Sequence, residues 1–135
     1  MVGPAERDRL LADVLKRAEE VNSSGKFLYK VVEIILFGSY LDTSRERLGD
    51  LDLAVRLEPK EQDRKKHIKA CARQADKESN RYLSFLDRHS YFSYAKVFKY
   101  LRNRSRGISL HSSTDGIIST GIPTKVVFPI DKQNG

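Results

Sequence analysis

The sequence has little of what disulfide-stabilised, zinc-thiolate and membrane proteins need. It holds one cysteine, Cys71, and no tryptophan, which excludes an internal disulfide and a cysteine-based zinc site. Its longest apolar stretch, Val31–Phe37, is interrupted by Glu33 and is far shorter than the roughly 20 residues that span a bilayer. The chain opens without a basic and then apolar leader. We therefore expect a cytoplasmic protein with no membrane segment.

Proline and glycine are also missing from one long segment, Lys60–Arg106. Helix formers dominate there, and two apolar stripes at helical spacing predict two helices with a break around residues 88–90. The first stripe comprises Ile68, Cys71, Ala75, Tyr82 and Phe85, and the second comprises Tyr91, Tyr94, Phe98 and Leu101. His67 and His89 belong to neither stripe and show no metal-ligand pattern, so we expect both at the surface.

Positive charge is concentrated in the same part of the chain. Residues 59–106 carry 14 Lys and Arg against five Asp and Glu, whereas the whole protein has a net charge of +7. The excess therefore lies entirely within this segment. A concentrated basic surface favours a polyanionic partner such as RNA, DNA or a nucleoside triphosphate, although a solvated helix face would have the same composition.

The remaining segments predict one helix and four strands. Apolar spacing predicts a helix over 4–21, and β-branched runs predict strands over 28–37, 50–57, 108–111 and 124–128. The resulting order, α-β-β-α-α-β-β, is typical of an α+β fold with helices packed on one face of a small mixed or antiparallel sheet. We expect a single domain over 1–135, with a core motif at 28–57, a basic helical segment at 60–106 and C-terminal strands within 107–130.

The most informative stretch joins the first two strands. The first strand ends in Gly38-Ser39, ten residues follow, and the second strand opens with Asp50-Leu51-Asp52. Because side chains alternate along a strand, both carboxylates project from one face, about 7 Å apart along the chain. Leu51, Leu53, Val55 and Leu57 then occupy the opposite face, which is predicted to be core. Two acids beside a Gly-Ser turn suit a divalent cation and a nucleotide phosphate.

This motif resembles that of the nucleotidyltransferase superfamily typified by DNA polymerase β, and is most similar to its minimal, single-domain members. The family pattern is a strand ending in Gly-Ser, about ten residues of loop, and Asp-x-Asp at the start of the next strand. The resemblance implies that Gly38 and Ser39 contact the triphosphate of an NTP. It also implies that Asp50 and Asp52 are catalytic and hold one or two Mg²⁺ or Mn²⁺ ions.

The third acid of the family is missing from the expected strand. Residues Ser109 and His111 stand where that acid would be, and Asp115 follows four residues later. Three alternatives remain open: His111 acts as a general base, Asp115 reaches the metal from a turn, or the site binds nucleotide without turnover.

The resemblance implies transfer of an NMP from an NTP to a hydroxyl acceptor. In stand-alone members the acceptor can be RNA, such as tRNA, or a partner protein, often within a toxin–antitoxin pair. Five basic residues are the predicted nucleic-acid contacts: Lys96, Lys99, Arg102, Arg104 and Arg106. The alternative function is a catalytically inactive nucleotide- or RNA-binding module of the same fold.

Overall fold

The computed structural model describes residues 4–38, 51–78, 92–112, 116, 121 and 123–129. Three helices occupy this part of the chain: α1 (Pro4–Ser23), α2 (Arg64–Glu78) and α3 (Phe92–Arg102). Four strands accompany them: β1 (Tyr29–Phe37), β2 (Leu51–Pro59), β3 (Ile108–His111) and β4 (Thr124–Phe128). The predicted order of elements agrees with this arrangement, and the predicted helix break at 88–90 lies outside the described residues.

The strands form one mixed sheet in the order β3-β2-β1-β4. The strand β1 pairs antiparallel with both β2 and β4, whereas β2 pairs in parallel with β3. This mixed sheet with its helices confirms the predicted α+β fold class. The parallel pair matters most for function, because it sets the start of β3 directly beside the start of β2.

One face of the sheet packs against the helices and forms the core. Leu51, Leu53 and Val55 are fully buried and belong to one apolar cluster with residues of all three helices. Strand alternation then directs Asp52 and Ala54 to the opposite face. The hydrophobic pattern of β2 therefore decides which way the predicted catalytic carboxylate points.

The end of α1 is fixed by two polar side chains, Lys60 from outside the helix and Asn22 from its last turn. Lys60, which follows β2, donates from Nζ to the carbonyls of Val21 and Ser24, each at 2.6 Å. Carbonyls at a helix C-terminus lack intrahelical partners and attract cations. Asn22 donates to the Val31 carbonyl and accepts from the Val31 N–H, at 2.9 and 2.7 Å. Both contacts tie α1 to the sheet.

His67 corrects a prediction made from the sequence. We expected it at the surface, but it is only 7% exposed, with its ring edge-on to Tyr29 at a centroid distance of 4.9 Å. Its Nε2 lies 3.4 Å from the Cys71 sulfur. Burial lowers the pKa of His67, against a smaller opposing effect of Glu61. Burial also raises the pKa of the Cys71 thiol, so the pair is neutral and structural.

We predict that His67 makes the fold sensitive to acid. The unfolded chain binds a proton at the ordinary histidine pKa of 6.5, above the lowered pKa in the fold. Stability is therefore complete above about pH 6.5 and declines below it, by at most about 1.4 kcal/mol per pH unit for one proton. Urea unfolding between pH 7.5 and 5 measures this decline. His67→Phe should flatten it, and equal curves for this variant and the wild type would contradict the prediction.

Candidate active site

The candidate site lies where β1 ends and where β2 and β3 begin. Phe37 is the register partner of Asp52, and Asp52 is the register partner of Ser109. Residues directly opposite each other in neighbouring strands project from the same face. One row across three strands therefore carries Phe37, Asp52 and Ser109 on the face away from the helices.

Gly38 provides the floor beside the carboxylate. Its φ of +81° is a conformation that side chains disfavour. A Cβ added there would lie 2.8 Å from Oδ2 of Asp52, well inside van der Waals contact. The half-buried Asp52 carboxylate therefore lies against the backbone of Gly38, in a space that only glycine leaves open.

His111 lies on the same face, two register pairs further along. Its partner in β2 is Ala54, and its ring meets the Phe37 ring at a centroid distance of 5.2 Å. Because Phe37 and His111 stand on strands separated by β2, both rings must lean across the face of β2 that carries Asp52 and Ala54. Ser109 Oγ lies 3.4 Å from Nε2 of His111, with the donor decided by the imidazole tautomer. A ring contact and a hydroxyl therefore hold the imidazole on the face of the sheet that carries Asp52.

The structure thus brings together Gly38, Asp52, Ser109 and His111. Three other predicted or alternative site residues, Ser39, Asp50 and Asp115, lie outside the described residues. Sequence reasoning missed the contribution of Phe37, which positions the His111 ring. Its place directly before Gly38 was the available signal.

A divalent cation fits the chemistry of this site. The Asp52 carboxylate and the Ser109 hydroxyl supply hard oxygen donors, which Mg²⁺ prefers, and Gly38 keeps the space beside the carboxylate clear of side chains. Within the described ranges, no three His, Cys, Asp or Glu side chains group closely enough to hold a metal by themselves. A complete metal site would need Asp50 and substrate phosphates as well.

The five predicted nucleic-acid contacts fall into two groups. Lys96 is held within the protein: its Nζ lies 2.7 Å from Oε1 of Glu78 and 2.8 Å from the Lys26 carbonyl. The other four cluster at the C-terminus of α3 and in the turn before β3: Lys99, Arg102, Arg104 and Arg106. All four are exposed.

A family model described as a nucleotidyltransferase domain matches residues 18–107, two thirds of the chain. The chain belongs to the nucleotidyltransferase family. The match confirms the superfamily predicted from Gly38-Ser39 and Asp50-Leu51-Asp52. It also spans both of these motif halves and the basic helical segment of this nucleotidyltransferase.

Two further comparisons add no relatives. Neither the curated proteins nor the solved structures include a match to this nucleotidyltransferase. In the part of the chain that the structure describes, no helix is long and apolar enough to cross a membrane.

Proposed function

We propose that this nucleotidyltransferase moves an NMP from an NTP to a hydroxyl acceptor in a reaction that depends on a divalent metal ion. The observation that carries the proposal is the Asp52 carboxylate set against Gly38 at the end of β1. The space beside Gly38 is free of a side chain at that position. This supports binding of a triphosphate and its metal ion there, next to the carboxylate.

The proposed roles follow from the chemistry of each residue. Gly38 and Ser39 bind the triphosphate through backbone N–H groups and the serine hydroxyl. Asp50 and Asp52 hold Mg²⁺ or Mn²⁺, which when bound neutralises the charge that develops on the phosphates. The acceptor oxygen forms a bond to the α-phosphorus, the bond to the β-phosphate oxygen breaks, and pyrophosphate leaves.

We propose that His111 is the general base that accepts the proton of the acceptor hydroxyl. The position beside Asp52 on the neighbouring strand is Ser109, whose hydroxyl is too weak a base to accept that proton at neutral pH. The imidazole of His111 is a suitable base, and its contacts with Phe37 and Ser109 support a fixed orientation on the face that carries Asp52. Asp115, reaching the metal from a turn, stays the alternative to His111.

One observation favours the catalytically inactive module as a second candidate. Among the described residues of β3, none is an acid, so the carboxylate that completes the family site is missing from this strand. The use of ATP, a cytoplasmic location and a place in a toxin–antitoxin pair stay predictions from the sequence. RNA, such as tRNA, and a partner protein are the two predicted acceptor classes.

Label transfer tests the proposal. The purified protein is incubated with each α-labelled NTP, Mg²⁺ or Mn²⁺, and total tRNA or cell extract. We expect label on a macromolecule and loss of that label when EDTA is added. NTP binding with no transfer to any acceptor would instead support the inactive module. Failure to bind both metal and NTP would contradict both functions.

A further inference from the structure

We propose that the acceptor is a single-stranded nucleic acid, held in a groove beside α3 that accommodates two successive nucleotides. The inference rests on the proposed NMP transfer and names its acceptor class. The groove, called here the α3 groove, consists of two cavities with Lys99 and Arg104 on the boundary between them.

The first cavity combines an apolar floor with a cationic rim. It has a volume of 390 Å³, within the roughly 300–1,000 Å³ of typical ligand pockets. Phe98 and Leu110 form the floor, and both are half-buried. The rim comprises Lys99, Arg102, Arg104 and Arg106. Such a cavity suits a flat apolar group that carries a negatively charged substituent.

The second cavity, of 270 Å³, also has an aromatic wall. The half-buried Tyr100 ring supplies this wall. It packs on Phe27 at a centroid distance of 5.0 Å, and Phe27 itself is only 7% exposed and lies beneath the Lys96 ammonium, 5.2 Å from the ring centroid. The Arg17 guanidinium lies 4.7 Å from the Tyr100 ring centroid and is held in place by Asp13, at 3.0 Å. Aromatic rings and guanidinium planes are the surfaces on which unpaired bases stack.

The charges of the groove are available to a ligand. Among the described residues, Arg9, Arg17 and Lys96 each form a salt bridge. Within the same ranges, the four rim cations of the first cavity have no such carboxylate partner. Lys96, in contrast, is neutralised by Glu78, so we exclude it from the phosphate-binding set.

The turn after α3 is ordered so that it presents Arg104 to both cavities. Asn103 and Arg104 have φ values of 47° and 60°, and each such residue costs about 1 kcal/mol or more. Hydrogen bonds hold the turn: the Asn103 N–H donates to the Lys99 carbonyl at 3.1 Å, and the Ser105 N–H donates to the Arg102 carbonyl at 2.9 Å. A strained turn that places a cation between two cavities favours a binding role.

The order of features along the groove matches a single strand. The aromatic wall of the second cavity would take one base, and the apolar floor of the first cavity would take the next. The cations that the two cavities share would contact the phosphate between these bases. A duplex would present its phosphates with its bases already stacked, leaving both apolar surfaces unused. An acidic protein segment would engage the cations but would not require the apolar floor and the aromatic wall. The cavities therefore favour unpaired nucleotides over both of these partners.

The helix dipole explains only part of this charge. Lys99 and Arg102 lie in the last turn of α3, where cations are stabilising by about 0.3–1 kcal/mol. Arg104 and Arg106 lie beyond the helix and gain little from its dipole. Their placement on the same rim as Lys99 and Arg102 therefore favours a role in ligand binding.

The groove leads to the candidate site. The carbonyl of Gly107, next to Arg106, accepts from the Leu51 N–H at 2.7 Å, and Leu51 precedes Asp52. Leu110 lines the first cavity, while its neighbours Ser109 and His111 project from the other face of β3. A strand that leaves the first cavity around this edge of the sheet therefore reaches the face that carries His111.

Fluorescence anisotropy with labelled RNA tests the inference, in EDTA and without NTP. We expect a single-stranded 10-mer to bind at least 10-fold more tightly than the same sequence in a duplex. An abasic 10-mer with equal charge should bind at least 10-fold more weakly than the intact strand, because stacking is lost. Equal binding of intact and abasic strands, or competition by polyglutamate as strong as that by RNA, would overturn the proposal.

Lys99→Glu/Arg104→Glu should weaken single-strand binding at least 30-fold. The salt dependence should also flatten, by about 0.7 in log–log slope for each phosphate that the protein no longer neutralises. Lys65→Glu/Lys69→Glu is the matched control, since both lysines are exposed on α2 and the charge change is identical. If the first variant does not fold by circular dichroism, Lys99→Gln/Arg104→Gln replaces it. Equally weakened binding in the groove and control variants would contradict the inference.

Failure of this inference is distinguishable from failure of the proposed function. Asp52→Asn should bind the single strand normally. Tight strand binding without label transfer would contradict the proposed reaction and support the α3 groove as a binding site. Label transfer to a protein, with no strand binding, would contradict the α3 groove as a nucleic-acid site and support the proposed reaction.

Discussion

Asp52→Asn is expected to lower the rate of NMP transfer by at least 10²–10³-fold, a loss typical of removing one charge-stabilising group from an active site. Asparagine matches aspartate in shape, so the packing against Gly38 and the buried neighbours Leu51 and Leu53 should be preserved. The change removes the negative charge that would hold a metal ion. Label transfer from α-labelled NTP at saturating substrate measures the loss.

A second variant on the same strand separates the site from general effects of charge. Glu58 is exposed near the far end of β2, and Glu58→Gln removes one carboxylate without touching the candidate site. We expect its transfer rate within about twofold of the wild type. An Asp52→Asn protein that keeps its rate would show that the reaction takes place elsewhere.

Gly38→Ala should reduce NMP transfer by about 10²-fold, chiefly by moving the Asp52 carboxylate. The added Cβ would lie 2.8 Å from Oδ2 of Asp52, so the carboxylate must rotate or shift. Catalytic sites lose about this much when a group is misplaced by roughly 1 Å. The positive φ adds about 1–2 kcal/mol of backbone strain for a residue with a side chain. Steady-state kinetics and thermal unfolding separate the two effects.

Two other glycines serve as matched controls. Gly121 has a φ of +74°, and no described residue lies within 4 Å of an added Cβ, so Gly121→Ala should cost stability and leave activity unchanged. At Gly25 too, an added Cβ would meet no atom of the described residues within 4 Å, and Gly25→Ala should alter neither. If Gly38→Ala behaves like Gly121→Ala, the contact with Asp52 has no catalytic importance.

The local patterns of the chain predicted its local structure. Alternation placed Leu51, Leu53 and Val55 in the core, and helical spacing placed Cys71 and Ala75 there; all five are buried. These predictions succeed because burial of one face is decided by a period along a single segment. The family model also confirms the family that the motif at 38–52 predicted.

His67 shows where pattern reasoning failed. It stands four residues before Cys71 and eight before Ala75, on the same buried line of α2. Its polar type concealed this spacing, and Ile68, expected in the stripe, is only partly buried. The ring contact with Tyr29 stabilises the buried imidazole. That contact depends on tertiary packing, which a pattern along one segment does not show.

The long-range contacts could not be read from the sequence. The register that sets Ser109 beside Asp52 joins residues on different strands, and no local pattern determines it. The capture of Lys96 by Glu78 and the capping of α1 by Lys60 likewise depend on which elements meet. Local signals therefore predicted the carboxylate, whereas its neighbours required the fold.

The parallel pairing of β2 with β3 also sets the order in which the site can assemble. Gly38 and Asp52 belong to one antiparallel pair of neighbouring strands, which can form as soon as both have left the ribosome. Ser109 and His111 are synthesised after α2 and α3, and closing so long a loop is slow. During synthesis the strand pair that carries Asp52 therefore emerges before the proposed base, and in the proposed mechanism NMP transfer would begin only after the edge strand has docked.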